Sequence, residues 1–204
     1  MTRVSVYAAL LVVSIAATVM TITSITLPNW ITYSVSTPTN SPLTQHIGLH
    51  RSCSNFRDPP CRPYPSEDQC AGEGEEASFC RMWRSAGFLA NFAVALHLVM
   101  IVVYAVLIGG GKQRREGGWH VLGGLLLGIA VVEFAIIGIV SYLFDNDDQF
   151  LIPGWSLDTS WVLCTVSASL SAACAAGLAS SYYLLPPEGG YDCLPDPGDA
   201  DEAS

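Results

Sequence analysis

The sequence is poor in charged residues. Asp, Glu, Lys and Arg make up 13% of its 204 residues, about half the share found in ordinary soluble domains. Half of the residues are apolar, and they occur in long blocks rather than in the periodic pattern of a soluble core. These features argue against a soluble globular protein and predict a membrane protein.

Basic residues are especially few. Nine Lys and Arg stand against 18 Asp and Glu, which gives a formal net charge of −9. A nucleic-acid-binding protein would be expected to carry clustered basic residues. We therefore expect no nucleic-acid partner and name the lipid bilayer as the first partner.

Catalytic signatures are lacking as well. Residues 109–112 superficially resemble a phosphate-binding loop, but the earlier glycine of that motif would fall at Val106, and Gln113 follows the lysine. Residues 154–158 lack the second glycine of a nucleophile elbow. We expect a protein that is not an enzyme and that needs no cofactor or metal.

Four apolar blocks are long enough to cross a bilayer. A hydrocarbon core about 30 Å thick needs roughly 20 residues of helix, and four segments meet this requirement: residues 4–27, 88–108, 121–144 and 161–185. The first exceeds the apolar run of about 7 to 15 residues in a signal peptide, so we expect it to be retained. The sequence thus predicts an all-α membrane protein with four transmembrane helices over residues 1–185.

The loops between the blocks predict the orientation. The second and third blocks are separated by a segment with Lys112, Arg114 and Arg115, whereas residues 145–158 contain acids and no base. The positive-inside rule places the basic segment in the cytosol, with both termini beside it. Residues 28–84 and 145–158 then face outward. The arginines in the first of these loops do not oppose this, because loops near 60 residues translocate largely regardless of charge.

The C-terminal segment, residues 186–204, is acidic. It contains six Asp and Glu and no base, which is typical of a solvated, disordered tail. We expect this tail to be cytosolic.

The first outward loop contains an even set of four cysteines: Cys53, Cys61, Cys70 and Cys80. Such a set on the oxidising side of a membrane predicts disulfides. Four cysteines allow three pairings, and their spacing does not choose among them. The alternative, a metal site with His46 and His50 as further ligands, is disfavoured because zinc-finger spacing is missing.

The two halves of this loop differ in composition. Residues 30–57 alternate short apolar and polar stretches between turn residues, which favours short antiparallel strands. Residues 58–78 are rich in proline, glycine and acids, so we expect irregular structure held by cystines. In the second loop we expect Phe150, Leu151 and Ile152 to be exposed, as an apolar contact surface or as packing against the sheet.

Two ionisable residues lie deep in the apolar blocks. His97 is near the middle of the second block and Glu133 near the middle of the third. An isolated charge there is costly, so such groups turn inward and find a partner. We hypothesise that they pair across the two helices. We favour a satisfied contact that fixes helix register over a proton-sensitive element.

Small residues recur every four positions in two blocks: Ser167, Ser171 and Ala175 in the fourth, and Gly124 and Gly128 in the third. Such a face lets another helix approach closely. We favour packing within one bundle over contact between copies.

The first loop also carries a family signature. Trp30 follows the first block, then come Gly48, Leu49 and His50, and then Cys53 and Cys61. This order resembles the Trp, Gly-Leu-Trp, Cys, Cys signature of the claudin superfamily, with His50 in place of the second tryptophan. The sequence around these residues is more similar to fungal claudin-like plasma-membrane proteins, relatives of eisosome, cell-fusion and ambient-pH-signalling components.

The resemblance implies a left-handed bundle with a small extracellular antiparallel sheet in the first loop. It also implies a cystine between Cys53 and Cys61, which leaves Cys70 and Cys80 as a second pair. The motif residues Trp30, Gly48, Leu49 and His50 would anchor the sheet to the bilayer surface. The chain ends without the apolar carboxyl terminus that claudins offer to junction scaffolds, so no PDZ-type scaffold is expected.

Taken together, these features lead us to expect a multi-pass plasma-membrane protein that organises membrane domains or supports cell contact, fusion or surface integrity. Its partners would be other membrane proteins or further copies of itself. The alternative is an accessory subunit of a transporter, channel or pH-signalling complex. A third possibility is ion conduction, lined by Asp58, Glu67 and Asp68.

Overall fold

The computed structural model describes residues 3–35, 43–71 and 74–184, and four long helices dominate it. They are α1 (Arg3–Thr26), α3 (Glu75–Gly109), α4 (Gly111–Asn146) and α5 (Thr159–Leu184), and a short α2 (Glu67–Ala71) precedes α3. All four long helices are long and apolar enough to cross a membrane. The chain is thus a mostly helical, multi-pass membrane protein, as predicted. The expected tail, residues 186–204, lies outside the described residues.

Two helices extend beyond the predicted blocks. Helix α3 begins 13 residues before position 88 because its buried face continues upstream through Phe79, Trp83 and Ala86 at helical spacing. Helix α4 begins at Gly111, so the basic segment that was predicted as a loop between the blocks belongs to the first turns of this helix. Gly110 alone separates α3 from α4.

Both loops between helices build one antiparallel sheet of five strands. The strands are β1 (Ile31–Val35), β2 (Leu43–Ile47), β3 (Arg51–Ser54), β4 (Cys61–Pro63) and β5 (Trp155–Leu157), in the order β4-β3-β2-β1-β5. The prediction of strands in the first loop is confirmed. Strand β5 was not predicted, because three residues are too short to show an alternating pattern. It ties the second loop to the first.

The segment from residue 58 to residue 78 is more regular than expected. It contains β4, α2 and the start of α3. Two disulfides hold it: Cys53 with Cys61 and Cys70 with Cys80. These are the pairs that the claudin resemblance implies. Because the four sulfurs are in cystines, they are not available as the metal ligands of the alternative interpretation.

The buried apolar residues form two clusters, one at each end of the bundle. The sheet-side cluster includes Trp30, Ile31, Leu49 and Trp83, and it joins the inner face of the sheet to α3, α4 and α5. The other cluster includes Tyr7, Met100 and Leu126. Between the two clusters lie polar side chains of all four long helices.

Candidate functional site

A polar stripe on α1 faces the centre of the bundle. Ser14, Thr18, Thr21 and Ser24 recur at spacings of three and four, so they share one helix face, and all four are buried. Thr18 donates its hydroxyl proton to the Ser14 carbonyl one turn earlier, and Thr21 Oγ1 lies 3.1 Å from the Ala17 carbonyl. This local bonding allows hydroxyl groups inside an apolar bundle.

His97 on α3 and Glu133 on α4 meet against this stripe. Both are fully buried, and Nε2 of His97 lies 3.2 Å from Oε1 of Glu133. The same carboxylate oxygen accepts the Thr21 hydroxyl at 2.5 Å and lies 3.1 Å from Ser167 Oγ of α5. The site therefore joins all four long helices at one atom. The hypothesised pairing of His97 with Glu133 agrees with this geometry.

The hydrogen bonds orient the ring of His97. The Thr18 hydroxyl donates to the Ser14 carbonyl, so its oxygen accepts from Nδ1–H of His97, 3.1 Å away. Nε2 then faces Oε1 of Glu133 at 3.2 Å. Because an unpaired polar group in this interior would be costly, this pairing across α3 and α4 supports the register-fixing role.

The second carboxylate oxygen of Glu133 has a different environment. Among the residues that the structure describes, Oε2 is buried and has no hydrogen-bond partner. The carboxyl group thus accepts all of its bonds on one side.

The small residues of α5 have the packing role that was predicted for them. Ser167 and Ser171 are buried, and Ala175 packs against the second core cluster. Ser167 Oγ reaches the backbone carbonyl of Ala17 at 3.1 Å. A side-chain hydroxyl can bond a neighbouring helix's backbone only where the two helices approach closely, which small residues permit.

The prediction that Gly124 and Gly128 pack within the bundle is wrong. A Cβ placed on either glycine would meet no described atom within 4 Å, and Gly124 is exposed. The four-residue spacing shows a flat helix face, but it does not show which way the face points. In α4 this face points away from the other helices.

The sheet is fastened to the bundle by motif residues. The Trp30 indole N–H donates to the Ser24 carbonyl at the end of α1 (2.7 Å), and both Trp30 and Leu49 are buried. A Cβ on Gly48 would lie 2.6 Å from Cα of Pro28, so only glycine fits this approach of the β2–β3 turn to the end of α1. These residues anchor the sheet to the helices. The anchoring to the bilayer surface that the resemblance implies stays a prediction.

His50 differs from its motif neighbours. It is exposed, and its Nε2 accepts from the Asn91 amide on α3 at 3.3 Å. Its ring lies against Gly87, where a Cβ would come within 3.2 Å of Cε1. The imidazole is therefore a second contact between the sheet and α3.

A chain of hydrogen bonds on the outer face of the sheet was not predicted from the sequence. Thr32 Oγ1 donates to Oδ2 of Asp158 at 2.5 Å and lies 3.0 Å from Nδ1 of His46. Since the one hydroxyl proton goes to the carboxylate, the Thr32 oxygen accepts Nδ1–H of His46. The three residues are far apart in sequence, so no spacing pattern could reveal them.

Asp158 also caps α5. Its Oδ1 accepts the backbone N–H of Thr159 at 2.6 Å and the Thr159 hydroxyl at 2.9 Å. Partial burial raises the pKa of Asp158, but the hydrogen bonds from Thr32 and Thr159 and the nearby His46 outweigh it. The net pKa of this carboxyl lies below its usual value.

The second loop is only partly as expected. Phe150 is buried among Phe79, Phe144 and Trp155 rather than exposed. Leu151 and Ile152, which follow it, are 67% and 57% exposed. The loop therefore packs one aromatic residue under the sheet and presents two aliphatic residues outward.

Searches for relatives identify no family. No protein-family model matches the chain, and no curated protein matches it.

Proposed function

We propose that this chain is a non-enzymatic, claudin-like plasma-membrane protein that organises membrane domains or cell contacts through an extracellular, cystine-stabilised sheet. Its bundle would be left-handed, and both termini would be cytosolic. The proposal rests on the attachment of the sheet to the helix bundle. Strands from both loops form one surface, and Trp30 and Gly48 fix this surface to the helices. A surface with little freedom loses little entropy on binding.

The proposed contact lies at the tip of the second loop. Leu151 and Ile152 are exposed directly after the buried Phe150, so the core beneath holds them in place. Exposed apolar side chains on a rigid support are typical of association sites.

Lateral association would use α4. Gly124, Gly128 and Gly138 have no described atom within 4 Å of a hypothetical Cβ. A helix of another copy or of a different membrane protein could approach closely there. This face also supports the alternative function, an accessory subunit of a larger membrane complex.

Vesicles carrying the purified protein provide the test of contact. We expect vesicles with the wild-type chain to adhere to one another and those with Leu151→Ser plus Ile152→Ser to adhere much less. The matched control is Phe56→Ser, a 50% exposed apolar residue in the β3–β4 turn. Equal adhesion of all three proteins, or none with the wild type, would reject the contact role. Co-purification of a stoichiometric larger membrane protein would favour the subunit.

A further inference from the structure

One row of side chains crosses all five strands on the outer face of the sheet. The strand register aligns Cys61 with Cys53, Cys53 with His46, His46 with Thr32, and Thr32 with Ser156. Residues aligned across neighbouring strands point to the same face. The row therefore places an imidazole directly beside a cystine.

The cystine in this row lies at the open edge of the sheet. Strand β4 is the last strand beyond β3, and all three of its residues are exposed. The other cystine is more protected, because Cys80 is 3% exposed. The two disulfides of the chain thus differ in their access to solvent.

At the open edge of the sheet, a thiolate can reach the Cys61 sulfur more readily than the Cys53 sulfur. Cys61 is exposed at the free edge of β4, whereas Cys53 on β3 is half-buried. The rate of exchange depends on which sulfur a thiolate can reach. Cys61 is therefore the sulfur open to attack, and Cys53 is the leaving group.

His46 is placed to assist the departure of Cys53. Its Nδ1–H is held by Thr32 on the β1 side, so the other edge of the ring faces the β3 side, where Cys53 lies. Nε2 lies on that edge, where the proton of an imidazolium would lie, and Asp158 orients the ring through the Thr32 hydroxyl. By strand alternation Arg51 also lies on this face, beside Cys53, and Arg62 points to the opposite face.

We propose that the Cys53–Cys61 disulfide is a thiol–disulfide exchange site for small thiols, in which His46 protonates the departing Cys53 sulfur. A cation beside a thiolate stabilises it, and a better leaving thiolate departs faster. The site is assigned from the aligned row and the open edge, and it does not depend on the proposed contact function.

The exchange balances without an external oxidant. The thiolate RS⁻ forms a new S–S bond with Sγ of Cys61 while the Cys53–Cys61 bond breaks and its electron pair goes to Cys53. Protonated His46 gives its proton to that sulfur and becomes neutral. The products are a mixed disulfide on Cys61 and a free Cys53 thiol, and the reverse attack by Cys53 restores the cystine.

The full-length protein in detergent micelles tests the proposal with reduced glutathione as the probe. After quenching and alkylation, peptide mapping measures how much glutathione is bound to each cysteine over time. Total glutathione is adjusted at each pH so that the concentration of its thiolate stays the same. We expect Cys53–Cys61 to exchange at least about tenfold faster than Cys70–Cys80, as exposed disulfides do, with glutathione on Cys61. Equal rates for the two cystines, or an adduct mainly on Cys53, would overturn the proposal.

Three variants separate assistance by His46 from a structural effect of its substitution. His46→Gln should slow exchange at pH 6 by about threefold, the change that one unit of thiol pKa brings at the usual Brønsted slope, whereas His50→Gln should not. Loosening of the sheet by the substitution would instead speed exchange. Thr32→Val, which keeps His46 but removes its link to Asp158, should slow exchange less. An unchanged or faster rate in His46→Gln would contradict the role of His46.

Discussion

At the residue scale, the buried centre of the bundle depends on one carboxylate oxygen. Oε1 of Glu133 accepts the Thr21 hydroxyl and lies 3.1 Å from Ser167 Oγ and 3.2 Å from Nε2 of His97. Sequence reasoning could find Glu133 and His97, because each stands out as an ionisable residue in an apolar block. It could not find Thr21 or Ser167, because hydroxyl residues are common in membrane helices and bond their own backbone.

Replacing Glu133 tests this centre. Glu133→Leu removes the acceptor of three groups, so we expect a loss of about 2–3 kcal/mol in the free energy of unfolding, since a buried polar group left unpaired is costly. Glu133→Gln keeps an acceptor oxygen and should lose about 1 kcal/mol or less. Unfolding in mixed micelles by denaturing detergent measures both. Val131→Leu, on the exposed side of α4, is the control, and a Glu133→Leu protein as stable as wild type would refute the account.

Asp158 predicts a pH dependence of stability. Its pKa is lowered in the folded protein, so its stabilising contribution is present above the ordinary carboxyl pKa of about 3.9. That contribution is lost as the pH falls through the lowered pKa. Asp158→Ala should cost about 1 kcal/mol near neutral pH, because α5 also loses its N-cap. The melting temperature from pH 7 down to pH 3 measures this.

The difference between wild type and Asp158→Ala should therefore narrow on acidification. Asp145→Asn, an exposed acid at the end of α4, should leave the melting temperature near that of wild type at each pH. A difference between wild type and Asp158→Ala that grows as the pH falls would have the wrong sign for this account.

At the element scale, the sheet is attached to the helices through the short link from α1 to β1 and the turn from β2 to β3. Trp30 and Gly48 make this attachment, and the sequence indicated both residues through a motif. Hydrophobic blocks located the four helices, because a membrane span needs one continuous apolar run. They could not locate β5 or the start of α3, which depend on packing between distant segments.

Two glycine-to-alanine substitutions should change the stability of the protein in opposite directions. In Gly48→Ala the Cβ would lie 2.6 Å from the backbone of Pro28, so the turn must shift, and we expect a loss of about 1–3 kcal/mol from overpacking. In Gly124→Ala nothing lies within 4 Å of the Cβ, and helix propensity favours alanine by about 1 kcal/mol. Thermal unfolding in detergent compares them. A Gly48→Ala protein as stable as Gly124→Ala would contradict the close approach.

At the scale of the whole molecule, the described chain divides into a helix bundle and a sheet at one end of it. The bundle has a buried polar centre, and the sheet has two cystines and an exposed tip. Sequence patterns predicted both parts, because span length and a clustered set of cysteines are signals that local sequence carries. They did not predict that the second loop completes the sheet, or that Gly124 and Gly128 face outward.

The central claim is that this cystine-bearing sheet lies outside the cell. Peptide mapping of intact cells under non-reducing conditions, combined with reduction and a membrane-impermeant thiol reagent, tests it most directly. We expect the Cys53–Cys61 and Cys70–Cys80 bonds before reduction, labelling of these cysteines after it, and no labelling of Cys193. Free loop cysteines that the reagent cannot reach, together with labelled Cys193, would invert the topology and contradict the account.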